Sequence, residues 1–442
     1  MKLSLKKSFE YLEKSRKLIP SLTQTFSRGA YTFVEGAFPV YAKSAKGSHF
    51  FDVDGNEYID YLCGLGPIIL GHKYSRVDKA IKKQLENGIL FSLPHKLELD
   101  VAELICDVVP CAEMVKFSKT GSGSATGAVR GARALTKRDK IAYCGSGGIW
   151  HDWYAGIISR NQGVPSFNKN LIHPFDYNDV EGLEYVFEKN KEEIACVFME
   201  PAIFEKPNNN FLNKVKKITH ANDSVLIFDE IVTGFRFANG GGQELFGVEP
   251  DIAVLGKGMA NGMPISAVVG KSEYMKVFDD VFFSTTYASE TLSLAAAEAT
   301  IREIIEKPVI KKIWENGKFL TEHFNKITNE NSIGLTLRGY PVRMQLIGMD
   351  KNGNNSILLR SLLIQELVKR GVFMHHSVVF ISFSHEQEDI EKTLAALVDS
   401  IPILKKAVDD NKIEDFLEGH PAKPVYSVTK QSVKKNNSKK EN

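Results

Sequence analysis

The chain has 442 residues, 43% of them hydrophobic, which is enough to bury a substantial core and form about two or three units of ~100–200 residues, and excludes a disordered or fibrous protein. The formal net charge of +2 hides an asymmetry: residues 421–442 hold six lysines and one glutamate, leaving residues 1–420 at −3, so a mildly acidic body argues against nucleic acid as the main partner. Five cysteines (Cys63, Cys106, Cys111, Cys144 and Cys196), odd in number and without CxxC spacing, suit a reduced cytoplasmic protein better than a disulfide scaffold or a zinc module.

In chain order, "MKLSLKKSFEYLEKSRKLIP" is charged and amphipathic, without a signal-peptide core, and no apolar run of ~18 residues predicts a membrane span. "SHFFDVDGNEYIDYL" reads as a hairpin turning at Asp54-Gly55. From about 97 to 300, short apolar runs alternate with helical stretches: "MVKFSK" before "SATGAVRGARALTK", then "KIAYC", "IACVFMEP", "VLIFDE" and "IAVLGKG". This alternation predicts βαβ units and a mainly parallel sheet covered by helices. "TLSLAAAEATIREIIEK" and "IKKIWENGKFLTEHFNKI" are helical on either side of Lys307-Pro308. Mixed strand and helix patterns then predict a smaller α+β unit. The expected division is an N-terminal segment (1–65) contributing to the small unit, a large unit (66–309), the small C-terminal unit (310–420) and a disordered basic tail (421–442).

In such a sheet the ligand crevice lies beyond the carboxyl ends of the strands. Four runs place a polar residue there: Thr120, Glu200, Asp229 and Lys257. "TGSGSATG" (120–127) puts small residues between a strand and a helix, a candidate phosphate cradle at a helix N-terminus. It lacks the P-loop lysine. Gly121, Gly123 and Gly127 nearly match a dinucleotide fingerprint, with Asp139 downstream, which keeps a nicotinamide or flavin oxidoreductase open. Lys257, between Gly256 and Gly258, separates these readings. If the phosphate belongs to pyridoxal phosphate, Lys257 forms a Schiff base with the aldehyde, and Asp229 holds a proton on the pyridine nitrogen.

At these residues the sequence resembles the class III pyridoxal-phosphate aminotransferases, in the branch that includes glutamate-1-semialdehyde 2,1-aminomutase. "IFDEIVTGFR", followed 28 residues after Asp229 by Lys257, carries the likeness, with "FGVEPDIAVLGKGMANGMPISAVVG", "FDVDGNEYIDYLCGLGPIILGH" and "LTKRDKI". The resemblance implies a fold-type-I transferase using pyridoxal 5'-phosphate, with Lys257 as the Schiff-base lysine and Asp229 as the pyridinium partner. It implies Ile231 against a ring face, Gly121 and Ser122 on the phosphate, Glu200 at the cofactor's edge, and Thr286 reaching the phosphate of a neighbouring subunit in a homodimer. Arg28 aligns with an arginine that grips the substrate carboxylate.

Some positions depart from the family pattern. Where the family has Tyr-His-Gly with its ring stacked on the pyridine, this chain reads "CGSGGIWHDWY". One alignment puts Ser146 and Gly147 at the aromatic and the histidine; the other brings Trp150 near the stacking place. Gly64-Leu65 stands where the aminomutases have Ser-Trp, and "YASETLSL" replaces their glycine-rich, Asn-Pro-containing mobile segment. These departures favour a transaminase moving nitrogen from an amino-acid donor to a separate carbonyl acceptor. The "STTYASETLSLAAA" wording resembles relatives that make amino sugars or surface-polysaccharide precursors. The aminomutase, a racemase or epimerase, and a catalytically inactive binding relative are the other readings.

Overall fold

Three sheets organise the computed structural model, which describes residues 3–145, 147–425 and 427. Ser146, Tyr426 and residues 428–442, most of the basic tail, lie outside the described residues. Near the N-terminus, β1 (Ala42–Lys46), β2 (His49–Asp52) and β3 (Glu57–Asp60) form an antiparallel meander. The β2–β3 turn falls at Asp54-Gly55. Gly55 has φ +94°, a conformation that suits glycine, and the Asp52 carboxylate accepts the N–H groups of Asp54 (2.9 Å) and Asn56 (2.8 Å).

The central sheet contains β4 (Met114–Ser118), β5 (Lys140–Cys144), β6 (Ile172–Pro174), β7 (Ile194–Met199), β8 (Val225–Asp229), β9 (Ile252–Leu255) and β10 (Ser266–Gly270). Their spatial order is β4-β10-β9-β8-β7-β5-β6. Only β10 runs against its neighbours. Every residue of β7 and β8 is buried, as the unbroken apolar runs require of strands covered on both faces. Alternation divides them: Val225 and Ile227 face the helix Gly121–Thr136, while Leu226 and Phe228 pack with the helices Val180–Lys189 and Phe211–Ala221.

The helices Thr291–Glu306 and Val309–Glu330 break at Lys307-Pro308 and lead to the strands β11 (Leu335–Tyr340), β12 (Arg343–Gly348), β13 (Val372–Phe373) and β14 (Val378–Phe380). β11, β12 and β14 form a three-stranded antiparallel sheet. β13 instead joins the N-terminal meander, pairing in parallel with β3, Val372 opposite Ile59. One apolar core includes Phe33, Tyr58, Ile301, Leu320, Leu363 and Leu397, so the first and last parts of the chain are packed together. No helix among the described residues is long and apolar enough to cross a membrane.

Candidate active site

The helix after β4 starts where the small residues predict it. Thr120 is its N-cap, and its hydroxyl oxygen accepts the N–H of Gly123 at 3.0 Å. Helical geometry leaves the N–H groups of Gly121 and Ser122 without intrahelical acceptors, at the positive end of the helix dipole. Ser266 on β10 ties the loop to the sheet, donating to the Thr120 carbonyl at 2.8 Å. Gly121 is demanded by packing: a Cβ there would lie 2.7 Å from Cδ1 of Ile231. Gly127 serves the helix differently, since a Cβ would meet the Phe283 ring at 2.6 Å.

The adjacent acids that end β8 have opposite surroundings. Asp229 is 9% exposed, and its one hydrogen bond among the described residues comes from the Ile231 N–H at 3.1 Å. Glu230 is fully enclosed. Its carboxylate accepts the N–H groups of Gly242 (2.7 Å) and Gln243 (2.8 Å), at the start of the helix Gly242–Phe246, and the Thr233 hydroxyl. The hydrogen-bonding capacity of Glu230 is thus committed to the fold, whereas that of Asp229 is left open.

Lys257 follows β9 on a tight turn. Its φ of +38° is an uncommon conformation for a residue with a side chain. The turn is held by a bond from Met259 N–H to the Gly256 carbonyl (3.0 Å) and by Asn261, whose side chain bonds Leu70 N–H and the Gly71 carbonyl, each at 2.9 Å. The Lys257 amine makes no hydrogen bond among the described residues. Burial and then the Arg343 charge lower its proton affinity, against the pull of Asp229 and Glu200. Asp229 shifts the other way: burial and the Glu200 charge raise its carboxyl, opposed by the Ile231 N–H, Lys257 and Arg343. These four groups therefore form one electrostatic cluster, in which the structure brings together Glu200, Asp229 and Lys257 of the sequence-predicted set.

Arg343 is the member that sequence reasoning missed. It begins β12, is 5% exposed and donates to Glu200 at 2.7 Å. Arg236 is a second buried guanidinium, held by the carbonyls of Gly66 (2.8 Å), Ile381 (2.9 Å) and Val342 (3.3 Å). Arg236 closes the stretch "IFDEIVTGFR" that carries the family likeness, whereas the Arg343 segment has no motif; a charged residue in an otherwise core-like strand, "YPVRMQLIG", is its one signal.

Trp150, the candidate for the stacking place, lies at the surface of the single chain. It is 72% exposed, with its ring edge-on to His151 at 4.5 Å, and is not drawn into the cluster. Gly147 (φ +73°) and Gly148 (φ +121°) turn the chain so that Ile149 enters the core and Trp150 emerges. At Gly147, the histidine position of one alignment, a Cβ would lie 1.5 Å from the Tyr154 hydroxyl, so Tyr154 fills the space that a larger side chain would need. Ser146 lies outside the described residues. Arg28 is exposed, bonds Thr25 at 2.9 Å and lines a separate, mostly apolar cavity of ≈ 410 Å³ with Phe33, Asp60, Gly64 and His72. Thr286 is exposed on the loop before the helix Thr291–Glu306.

A sheet with this strand-end cluster and helix start defines a class of enzyme, and residues 31–401 match the model of the aminotransferase class-III family. The chain belongs to that family, whose members use pyridoxal 5'-phosphate, and this excludes the nicotinamide or flavin reading. It is 35% identical to a 3-aminobutyryl-CoA aminotransferase of Cloacimonas acidaminovorans, over 92% of this chain and 99% of that protein. It is 34% identical to a glutamate-1-semialdehyde 2,1-aminomutase of Alkaliphilus oremlandii, over 91% and 100%. Among solved structures, the FumI protein of Sphingopyxis sp. MTA144 matches with a TM-score of 0.85 at 24% identity, covering 94% of this chain and 99% of that one. An omega-transaminase from Sphaerobacter thermophilus matches with a TM-score of 0.82 at 23% identity, covering 90% and 98%. The fold is that of the fold-type-I transferases.

Proposed function

We propose that the chain transfers an amino group from an amino-acid donor to a separate carbonyl acceptor, with Lys257 and Asp229 as its catalytic pair. The residues suit the family's cofactor. Asp229 keeps hydrogen-bonding capacity for a protonated ring nitrogen, the Lys257 amine is uncommitted, and Thr120, Gly121 and Ser122 offer a hydroxyl and backbone N–H groups to a phosphate. Ile231 would supply an apolar surface for a ring face, and Glu200 would stand at the cofactor's edge. The cofactor, when bound, withdraws electrons from the carbon that loses its proton. Lys257, kept short of full protonation by burial, takes that proton and returns it. We read residues 66–309 as the cofactor-binding unit and 310–420, completed by 1–65, as the smaller one; the β3–β13 pairing supports this division.

The observation that favours transamination over intramolecular exchange is the anchoring of the segment ending at Glu290. Where the aminomutase branch has a mobile segment, Glu290 pairs with Lys119 at 2.7 Å and caps the next helix through Leu292 N–H (2.6 Å), and Thr291 N–H bonds the Ile89 carbonyl (2.9 Å). Close to Thr286, Phe282 (81%) and Tyr287 (62%) are strongly exposed. A homodimer covering this surface, with Thr286 reaching the neighbouring site, accounts for them. Five free thiols suit the cytoplasm.

The test is the visible spectrum of the cofactor-loaded protein with a panel of amino acids, followed by candidate acceptors: a keto sugar, a 3-oxoacyl thioester and glutamate semialdehyde. The expected donor bleaches the lysine-linked band, and the true acceptor restores it while gaining the amino group. Product formed from one substrate without an acceptor would favour the aminomutase or racemase instead. Lys257→Ala is expected to lose the lysine-linked band; its persistence excludes Lys257 as the attachment point.

A further inference from the structure

In the β7–β8 register Met199 lies opposite Phe228, so the next pair, Glu200 and Asp229, leaves the sheet side by side. Both pairs alternate across the pleat together: Met199 and Phe228 share one core, Phe198 and Ile227 the other. Glu200 and Asp229 therefore project from the same face of neighbouring strands, a placement in which two like charges drive one carboxyl toward protonation. A protonated Asp229 could not hold a proton on a ring nitrogen.

Arg343 reaches this place from the three-stranded sheet, where it is paired with Phe380. Its Nη1 donates to Glu200 Oε2 at 2.7 Å and to the Ala202 carbonyl at 3.2 Å, and its guanidinium lies 4.7 Å from the centre of the Phe204 ring. Such a group can either grip an incoming carboxylate or manage charge in place. Gripping requires opening a buried ion pair between two groups that are each about 5% exposed, which is costly. Managing charge requires no movement.

We propose that Arg343 is a positioning residue of the active site: clamped to Glu200, it neutralises that carboxylate so that Asp229 stays ionised beside it and Lys257 can act as a neutral amine. The proposal rests on the roles of Asp229 and Lys257 given above. The influence of the Arg343 charge on both groups agrees with it.

The test compares wild-type holoenzyme with Arg343→Met, Arg343→Lys, Glu200→Gln and the double variant Arg343→Met/Glu200→Gln, following the lysine-linked visible band against pH. Arg343→Met is expected to move the midpoint up by about one pH unit, a tenfold change in proton affinity. Glu200→Gln moves it down, Arg343→Lys leaves it near wild type, and the double variant restores it. A void left by a lost side chain would not be cured by Glu200→Gln, nor would it reverse the sign. An unmoved midpoint in Arg343→Met, or a double variant no closer to wild type than the single, overturns the proposal. Should Arg343→Met not fold, Glu200→Gln decides: an unmoved or raised midpoint refutes it. Loss of the underlying reading looks different, because Lys257→Ala would then keep the band.

Discussion

The carboxyl edge of the seven-stranded sheet and the surroundings of the three-stranded sheet supply charged groups to one cluster, but they hold them in opposite ways. At the edge, Asp229 has one hydrogen bond and Lys257 none among the described residues. Beside the smaller sheet, Arg236 is bonded to three carbonyls, and Arg343 to a carboxylate and a carbonyl. A group that must exchange partners during a reaction is left with capacity to spare. A group that fixes the electrostatic setting is tied to several acceptors at once. Glu230, one residue from Asp229, belongs with the groups held by the fold.

The most severe test of this contrast is Asp229→Asn. With the ring nitrogen no longer held protonated, kcat is expected to fall about 10²–10⁴-fold, while the melting temperature of the apoprotein changes little. A steady-state assay beside a thermal melt separates the two outcomes. Glu230→Gln should do the reverse. An amide facing the N–H groups of Gly242 and Gln243 leaves buried donors unsatisfied, costing roughly 1–3 kcal/mol of stability, read from the denaturant midpoint, with the lysine-linked band unshifted.

Acid sensitivity should come from the support rather than the edge. Burial lowers His376 and His385 to about 4, with Arg360 acting in the same direction on His376. Both stay neutral in the folded state while the unfolded chain takes up protons below about 6.5. Their contribution to stability is therefore complete above that pH and is lost as pH falls toward 4. Melting temperatures of the apoprotein should drop across that window, and His376→Gln should flatten the slope; an unchanged slope would mean that other groups govern it. The smallest expected effect is Trp150→Ala, which should leave cofactor affinity within about twofold of wild type by equilibrium titration. A larger loss would return Trp150 to the site.

The same contrast explains what could be read from the sequence. Reactive groups at strand ends leave local marks: a lysine between two glycines, an acid after an apolar run, small residues before a helix. The hairpin at Asp54-Gly55 and the break at Lys307-Pro308 are equally local. Arg343 leaves no such mark, because its partner Glu200 is distant in sequence and only the packing of two sheets brings them together. Trp150 is hard to place from sequence for the opposite reason. The motif "WHDWY" places it near the crevice in sequence, but the backbone conformation of two preceding glycines determines where its side chain goes.

The parallel pairing of β3 with β13 has a consequence for synthesis. A ribosome releases the amino-terminal meander long before the strand that finishes it, so hydrophobic residues such as Tyr58 and Ile59 wait for a contact of very high sequence separation. Closing such a contact is slow, and exposed strand edges invite aggregation meanwhile. Truncation after the large unit would thus be expected to yield a sticky fragment rather than a soluble half-enzyme.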